Sequence, residues 1–122
     1  MARVLVIDDS PTELYKLCTM LEKNGHQVLK GENGADGIAI AKREKPDVIL
    51  MDIVMPGLNG FQATRQLTKD AETQHIPVII VTTKDQETDR VWGRRQGAKD
   101  YLTKPVDEAL LVKALKSVLT SA

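Results

Sequence analysis

Short apolar runs alternate five times with longer stretches in which apolar residues recur every three or four positions. The runs fall at 4–7, 27–30, 48–51, 78–81 and 101–103. They are too short for helices, and most of the inner ones carry Val, Ile and Leu without polar alternation, as strands do when both faces are covered. Five such strands, each followed by a helix, predict an α/β fold: a five-stranded parallel sheet with five helices shared between its two faces.

The helix ends are written into the turns. Ser10-Pro11-Thr12-Glu13 offers an N-cap hydroxyl, a proline at the first helical position and a glutamate spaced for a capping box. Leu14, Leu17, Cys18 and Leu21 then form one stripe, and Asn24-Gly25 supplies a left-handed stop. Cys18 therefore reads as packing. Asn33 caps a second helix through about residue 44, which Pro46 ends, and Pro56-Gly57 and Asn59-Gly60 turn the chain into a third over 61–70. The fourth spans 86–96 with Gly97 as its stop, and the fifth 107–120. On the fourth, Val91 and Trp92 compete for the inward position, so Trp92 reads equally as core anchor or exposed contact.

At 122 residues the chain is expected to form one domain, 1–122, with one core and no output module. Seventeen basic and seventeen acidic residues cancel, which gives no general attraction to nucleic acid or anionic membrane. Arg94-Arg95 lacks the interleaved aromatics of a nucleic-acid surface. A single cysteine and no leader-like start point to the cytoplasm, and no apolar run approaches the roughly 20 residues a membrane span needs. His26 and His75 stand far apart at loop-like positions and read as surface residues, with no transition-metal site.

Candidate chemistry gathers where the strands end. Asp8 and Asp9 follow the first strand, and Asp52 closes the third. Ligands of open parallel sheets bind beyond those ends, at the point where strand order reverses. If the first and third strands flank that point, three carboxylates converge, and their mutual repulsion calls for a divalent cation. Oxygen-only ligands favour Mg²⁺, with Mn²⁺ or Ca²⁺ as substitutes, over Zn²⁺. Thr82 follows the fourth strand and Lys104 the fifth, placing a hydroxyl donor and a compact cation where phosphoryl oxygens could be held. A carboxylate can itself attack phosphorus to give an acyl phosphate. Each of these residues alone is ordinary turn or loop composition; their joint placement, each at its own strand end, reads as a phosphoryl-transfer site.

The segments that carry these residues, V-L-V-I-D-D-S at 4–10, P-D-V-I-L-M-D-I-V-M-P-G-L-N-G at 46–60, V-I-I-V-T-T at 78–83 and D-Y-L-T-K-P at 100–105, resemble the receiver domains of bacterial two-component response regulators. The resemblance covers essentially the whole chain. It implies the flavodoxin-like (CheY-like) strand order 2-1-3-4-5. It also implies that Asp52 is the phosphoacceptor, served by a histidine kinase or its phosphotransfer domain. Mg²⁺ would be bound by Asp9, Asp52 and the backbone carbonyl of Val54, with Asp8 acting through water. Lys104 would pair with the phosphoryl group or Asp52, Thr82 and Tyr101 would form a switch pair, and the Lys104-Pro105 peptide would be cis.

Signals would leave through the face of the fourth helix, fifth strand and fifth helix, where Arg90 and Arg94 lie one turn apart beside Tyr101. Family likeness implies a monomer, or a weak dimer that depends on phosphorylation, and a signalling protein whose chemistry is confined to its own phosphorylation and dephosphorylation. Val54 and Lys84 should border the mouth of the site and affect phosphate lifetime. Within the family, F-Q-A-T-R-Q-L-T-K-D-A-E-T at 61–73 and I-P-V-I-I-V-T-T-K-D-Q-E-T-D at 76–89 resemble regulators of type IV pilus twitching motility.

Three rivals weigh less. A haloacid-dehalogenase-type phosphatase usually carries a second carboxylate two residues after its nucleophile, where this chain has Val54, and needs length for a cap domain. A flavodoxin would need a hydroxyl-rich loop after the first strand, and Asp8-Asp9 would repel its phosphate. A scaffold that is never phosphorylated would have no use for the complete residue set.

Overall fold

The computed structural model describes residues 1–120. Strands and helices alternate as β1 (Arg3–Ile7), α1 (Pro11–Lys23), β2 (Gln27–Gly31), α2 (Gly34–Glu44), β3 (Val48–Met51), α3 (Gly60–Lys69), β4 (Val78–Thr82), α4 (Glu87–Arg95), β5 (Asp100–Thr103) and α5 (Glu108–Thr120). Every strand expected from the sequence is present to within a residue at either end. The sheet runs β2-β1-β3-β4-β5 with all pairs parallel, so strand order reverses between β1 and β3.

Alternation along the strands divides the core in two. Val4, Val6, Val48, Leu50, Ile79 and Val81 point to one face, where Leu14, Leu17 and Leu21 of α1 and Leu111 and Leu115 of α5 cover them. The intervening Leu5, Ile7, Ile49, Met51 and Val78 point to the other, under Ala41 of α2 and Ala63 and Leu67 of α3. β1 past its first residue, β3 and β4 are buried throughout, which is why they carry no polar alternation. Cys18 is buried within the α1 stripe.

Two helix starts behave differently. At α3 the Asn59 side chain accepts from the Gln62 N–H and the Gln62 side chain accepts from the Asn59 N–H, both at 2.9 Å. At α1 only half of the expected box forms. Ser10 Oγ accepts from the Glu13 N–H at 3.3 Å, but the Ser10 N–H turns to Asp8 Oδ1 at 2.9 Å. The Glu13 carboxylate is thereby released toward the sheet end. Gly25 takes the left-handed stop of α1 (φ 85°), and Lys45 takes that of α2 (φ 48°) ahead of Pro46.

α4 corrects the sequence reading. Neither competitor for the inward position faces the core: Val91 is 43% and Trp92 50% exposed. Gly93 takes that place, and a Cβ there would lie 2.7 Å from Ile80 Cδ1 and 3.2 Å from the Tyr101 ring. His26 also departs from expectation: it is half-buried, and its Nδ1 accepts from the Ala2 N–H at 3.1 Å.

Candidate functional site

The parallel register brings the strand ends to one edge of the sheet. Ile7 pairs with Met51, Met51 with Ile80 and Thr82 with Thr103. The ladder then runs on past the strand ends. Asp52 N–H bonds to Ile7 O at 2.9 Å, Asp8 N–H to Gly31 O at 3.0 Å and Lys104 N–H to Thr82 O at 2.8 Å. These backbone bonds hold Asp8, Asp52 and Lys104 in fixed positions before any side-chain contact is counted.

One carboxylate oxygen from each of Asp8, Asp9 and Asp52 lies within 4.8 Å of the others. Asp8 is 1% and Asp52 8% exposed, while Asp9 is open to solvent. Lys104 serves as a shared counterion. Its Nζ lies 2.6 Å from Asp8 Oδ2, 3.5 Å from Asp52 Oδ2 and 3.8 Å from Glu13 Oε1. Its tightest partner is therefore Asp8, where the sequence reading had named Asp52 or a phosphoryl group. Glu13, read from the sequence as a cap residue alone, is the carboxylate that sequence reasoning missed. Its place in the first turn of α1, directly after the Asp pair, was the available signal.

The electrostatics follow from this packing. Burial, with the charge of Asp8, pushes the Asp52 carboxyl above the ordinary aspartate range; Lys104, the Thr82 hydroxyl and the Ile53 N–H offset part of that rise. The Ile53 N–H donates to Asp52 Oδ1 at 2.8 Å, which leaves Oδ2 toward the lysine. Burial opposes the Lys104 ammonium, but its bond to Asp8 and the charges of Asp52, Asp8 and Glu13 outweigh it and hold the amine above its usual value.

Gly60 lets α3 approach. A Cβ there would overlap Asp52 O and lie 2.7 Å from Ile53 Cα, so only glycine permits this contact. Val54 is exposed, Lys84 half-exposed, and the Lys104–Pro105 peptide is cis. Beside the pocket a cavity of about 380 Å³ opens between α1 and the β5–α5 turn, lined by Glu13, Met20, Asp52, Lys104 and Val106 among others.

Thr82 is fully buried, with its Oγ1 3.5 Å from the Lys84 N–H. Tyr101 is turned inward, and its hydroxyl donates to Lys84 O at 2.6 Å. Burial and the charge of Asp89 raise its phenol to about 12 against the opposing charge of Arg90. The two arginines expected on one face differ: Arg94 is exposed, whereas Arg90 is half-buried and lies 5.1 Å over the Tyr101 ring.

Comparison with known proteins gives concordant results. A family model described as the response regulator receiver domain matches residues 4–116. The protein PilH of Pseudomonas aeruginosa is 78% identical over 119 residues, which cover 98% of each chain. The response regulator PleD of Caulobacter vibrioides is 39% identical over 117 residues, which are 96% of this chain but 26% of PleD. Among solved structures, the chemotaxis protein CheY4 of Vibrio cholerae superposes with a TM-score of 0.90 at 29% identity, covering 98% of this chain and 99% of that one. The receiver domain of the sensor histidine kinase PA1611 of Pseudomonas aeruginosa, which holds a magnesium ion coordinated in its active site cleft, gives a TM-score of 0.91 at 30% identity and covers 98% of both chains.

Proposed function

The chain belongs to the response regulator receiver domain family, and from that premise we propose that it is a phosphorylation-controlled switch whose Asp52 accepts a phosphoryl group from a histidine kinase or phosphotransfer domain. The observation that carries this reading is Lys104, whose ammonium stands 3.5 Å from the free oxygen of a buried Asp52 at the meeting point of four strand ends. Asp52 Oδ2 attacks phosphorus, and the bond from phosphorus to the donor nitrogen breaks as the acyl phosphate forms. Lys104 shifts from the carboxylates to the incoming phosphoryl oxygens, and the Thr82 hydroxyl donates to another.

The donor set suits Mg²⁺, with Mn²⁺ or Ca²⁺ as possible substitutes: three carboxylates and no nitrogen or sulfur ligand. Asp9, Asp52 and the Val54 carbonyl would hold the ion, with Asp8 contributing through water because Ser10 N–H and Lys104 already engage its two oxygens. When bound, the ion supplies positive charge that neutralises phosphoryl oxygens. Val54 and Lys84 would set the lifetime of the acyl phosphate by controlling water at the mouth.

Phosphorylation replaces one negative charge by about two. The added charge draws Lys104 and Thr82, and Tyr101 beside Thr82 transmits the change to the face of α4, β5 and α5, where Arg94 is free to meet a protein partner. The reading assigns no DNA-binding or membrane-spanning role and places the chain in the cytoplasm as a monomer or weak phosphorylation-dependent dimer. Among the described residues no helix is long and apolar enough to cross a membrane. Likeness to PilH over nearly its full length supports a place in a chemosensory pathway controlling type IV pilus twitching motility.

Incubation with acetyl phosphate and Mg²⁺, followed by intact mass, tests the chemistry. One added phosphoryl group is expected in the wild type and none in Asp52→Asn, with Asp9→Ala weakening the metal dependence; an adduct of equal yield in Asp52→Asn would overturn the assignment. Twitching zones of a Pseudomonas aeruginosa strain lacking PilH, complemented with wild type or Asp52→Asn, test the pathway.

A further inference from the structure

Arg90 is the one cation of α4 that is withdrawn from solvent onto an aromatic ring. Its guanidinium carbon lies 5.1 Å from the Tyr101 centroid, and its Nη1 donates to Tyr101 O at 3.3 Å. One side chain thus grips Tyr101 by both ring and backbone. The ring packs closely over Gly93, where a Cβ would lie 3.2 Å from it. Its hydroxyl donates to Lys84 O at 2.6 Å, in the turn whose Lys84 N–H faces Thr82 Oγ1. Lys84 Nζ closes the circuit back to α4 at Asp89, 3.7 Å away.

We propose that Arg90 is a positioning residue: it clamps Tyr101 in the inward pocket and, through the 82–84 turn, holds the Thr82 hydroxyl where Asp52 can use it. The phosphorylation part of this proposal rests on the function proposed above; the clamp itself does not. Arg90 is accordingly a determinant of switch position and Arg94, one turn further on, the residue left to a partner. A cation stacked on a shielded ring, with a second bond from the same group, sets the inward-to-outward ratio by roughly tenfold, about 1.4 kcal/mol.

The test places 3-fluorotyrosine in a Tyr15→Phe background, so that Tyr101 gives the single ¹⁹F signal; Tyr15 is 74% exposed and its loss leaves the core intact. The H₂O-to-D₂O shift of that signal reports solvent contact. It should be near zero with Arg90, rise to about half that of an exposed tyrosine in Arg90→Ala as a ratio near 10:1 falls about tenfold, and lie between for Arg90→Lys, which keeps a cation but not the planar fork. Arg95→Ala, an equal loss of charge on the same helix, should match the wild type. Arg90→Gln, which keeps the packed stem, is measured alongside so that a folding defect in Arg90→Ala leaves the test intact.

With acetyl phosphate and Mg²⁺, the Arg90 variants that release the ring should be phosphorylated several-fold more slowly. A ring that stays shielded in folded Arg90→Ala or Arg90→Gln overturns the clamp. A released ring with an unchanged phosphorylation rate overturns its coupling to Asp52. Wild type that takes up no phosphoryl group would instead end the proposed function and leave the ¹⁹F result standing.

Discussion

Replacing Lys104 with Met keeps the length and apolar stem of the side chain and removes the ammonium that Asp8, Asp52 and Glu13 share. Asp8 and Asp52, at 1% and 8% exposure, would be left without their counterion. Breaking a buried pair from one side costs about 3–5 kcal/mol. Proton uptake sets a ceiling, because protonating an ordinary aspartate at pH 7 costs about 4 kcal/mol. A loss of about 3–4 kcal/mol is therefore expected in metal-free protein at pH 7, a large share of a total stability of about 5–15 kcal/mol. In urea the midpoint should fall by about 1.5–2 M for a slope near 2 kcal/mol/M.

The pH dependence has a definite sign. Loss of Lys104 raises the folded-state pKa of Asp52 further above its unfolded value, so the Asp52 contribution is fully present below the unfolded pKa and is lost as pH rises through the raised one. The deficit should shrink as the solution is acidified. Urea unfolding in EDTA across that range reads it. A midpoint at pH 7 within about 0.5 M of wild type, or a deficit that ignores pH, would refute the counterion role.

Asp52→Asn should raise the melting temperature of metal-free protein at neutral pH, since the native carboxyl is pushed up by burial and its ionisation there opposes folding; a lower melting temperature in EDTA would contradict this. Gly60→Ala should cost about 3 kcal/mol or more, because its Cβ meets rigid backbone at Asp52 and Ile53. Gly93→Ala should cost less, on the order of 1 kcal/mol, because the nearest atom is the movable end of Ile80 and the helix gains from alanine; urea midpoints in the reverse order would be inconsistent with both. Glu13→Gln should speed phosphorylation by acetyl phosphate about two- to fivefold, the partly exposed Glu13–Lys104 attraction being about 0.5–1 kcal/mol; initial rates equal to or below wild type would count against it.

The sheet was legible because its signal is redundant. β3 and β4 are continuous apolar runs, and the turns around them hold Pro and Gly where the chain must change direction. The acidic cluster was legible for a similar reason, since strand ends in a parallel sheet share one edge and Asp8, Asp9 and Asp52 stand at two of them. What stayed hidden depended on partners distant in sequence. Periodicity looks for a large apolar residue on the inner face of a helix, so it weighed Val91 against Trp92 on α4 and passed over Gly93, which faces inward because Tyr101 already fills the space. A capping-box spacing gave Glu13 a local role, yet Asp8 outcompetes it for the Ser10 N–H. Nothing within ninety residues of Asp8 could have announced that its closest cation is Lys104.

Three aspartates of one residue type hold three different positions in this pocket, and hydrogen-bond inventory explains the division. Asp8 accepts the Ser10 N–H on one oxygen and Lys104 on the other; it is fixed, charge-balanced and poorly placed to give an oxygen wholly to anything else. Asp52 accepts the Ile53 N–H on Oδ1, which fixes the plane of the carboxylate, and its Oδ2 faces a cation it does not fully own, with the Thr82 hydroxyl nearby. Asp9 is open to solvent and desolvates at least cost on taking a ligand. The role of nucleophile proposed for Asp52 needs orientation without saturation, and Asp52 alone of the three combines a fixed plane, an oxygen with no backbone donor and burial enough to make a nearby positive charge count.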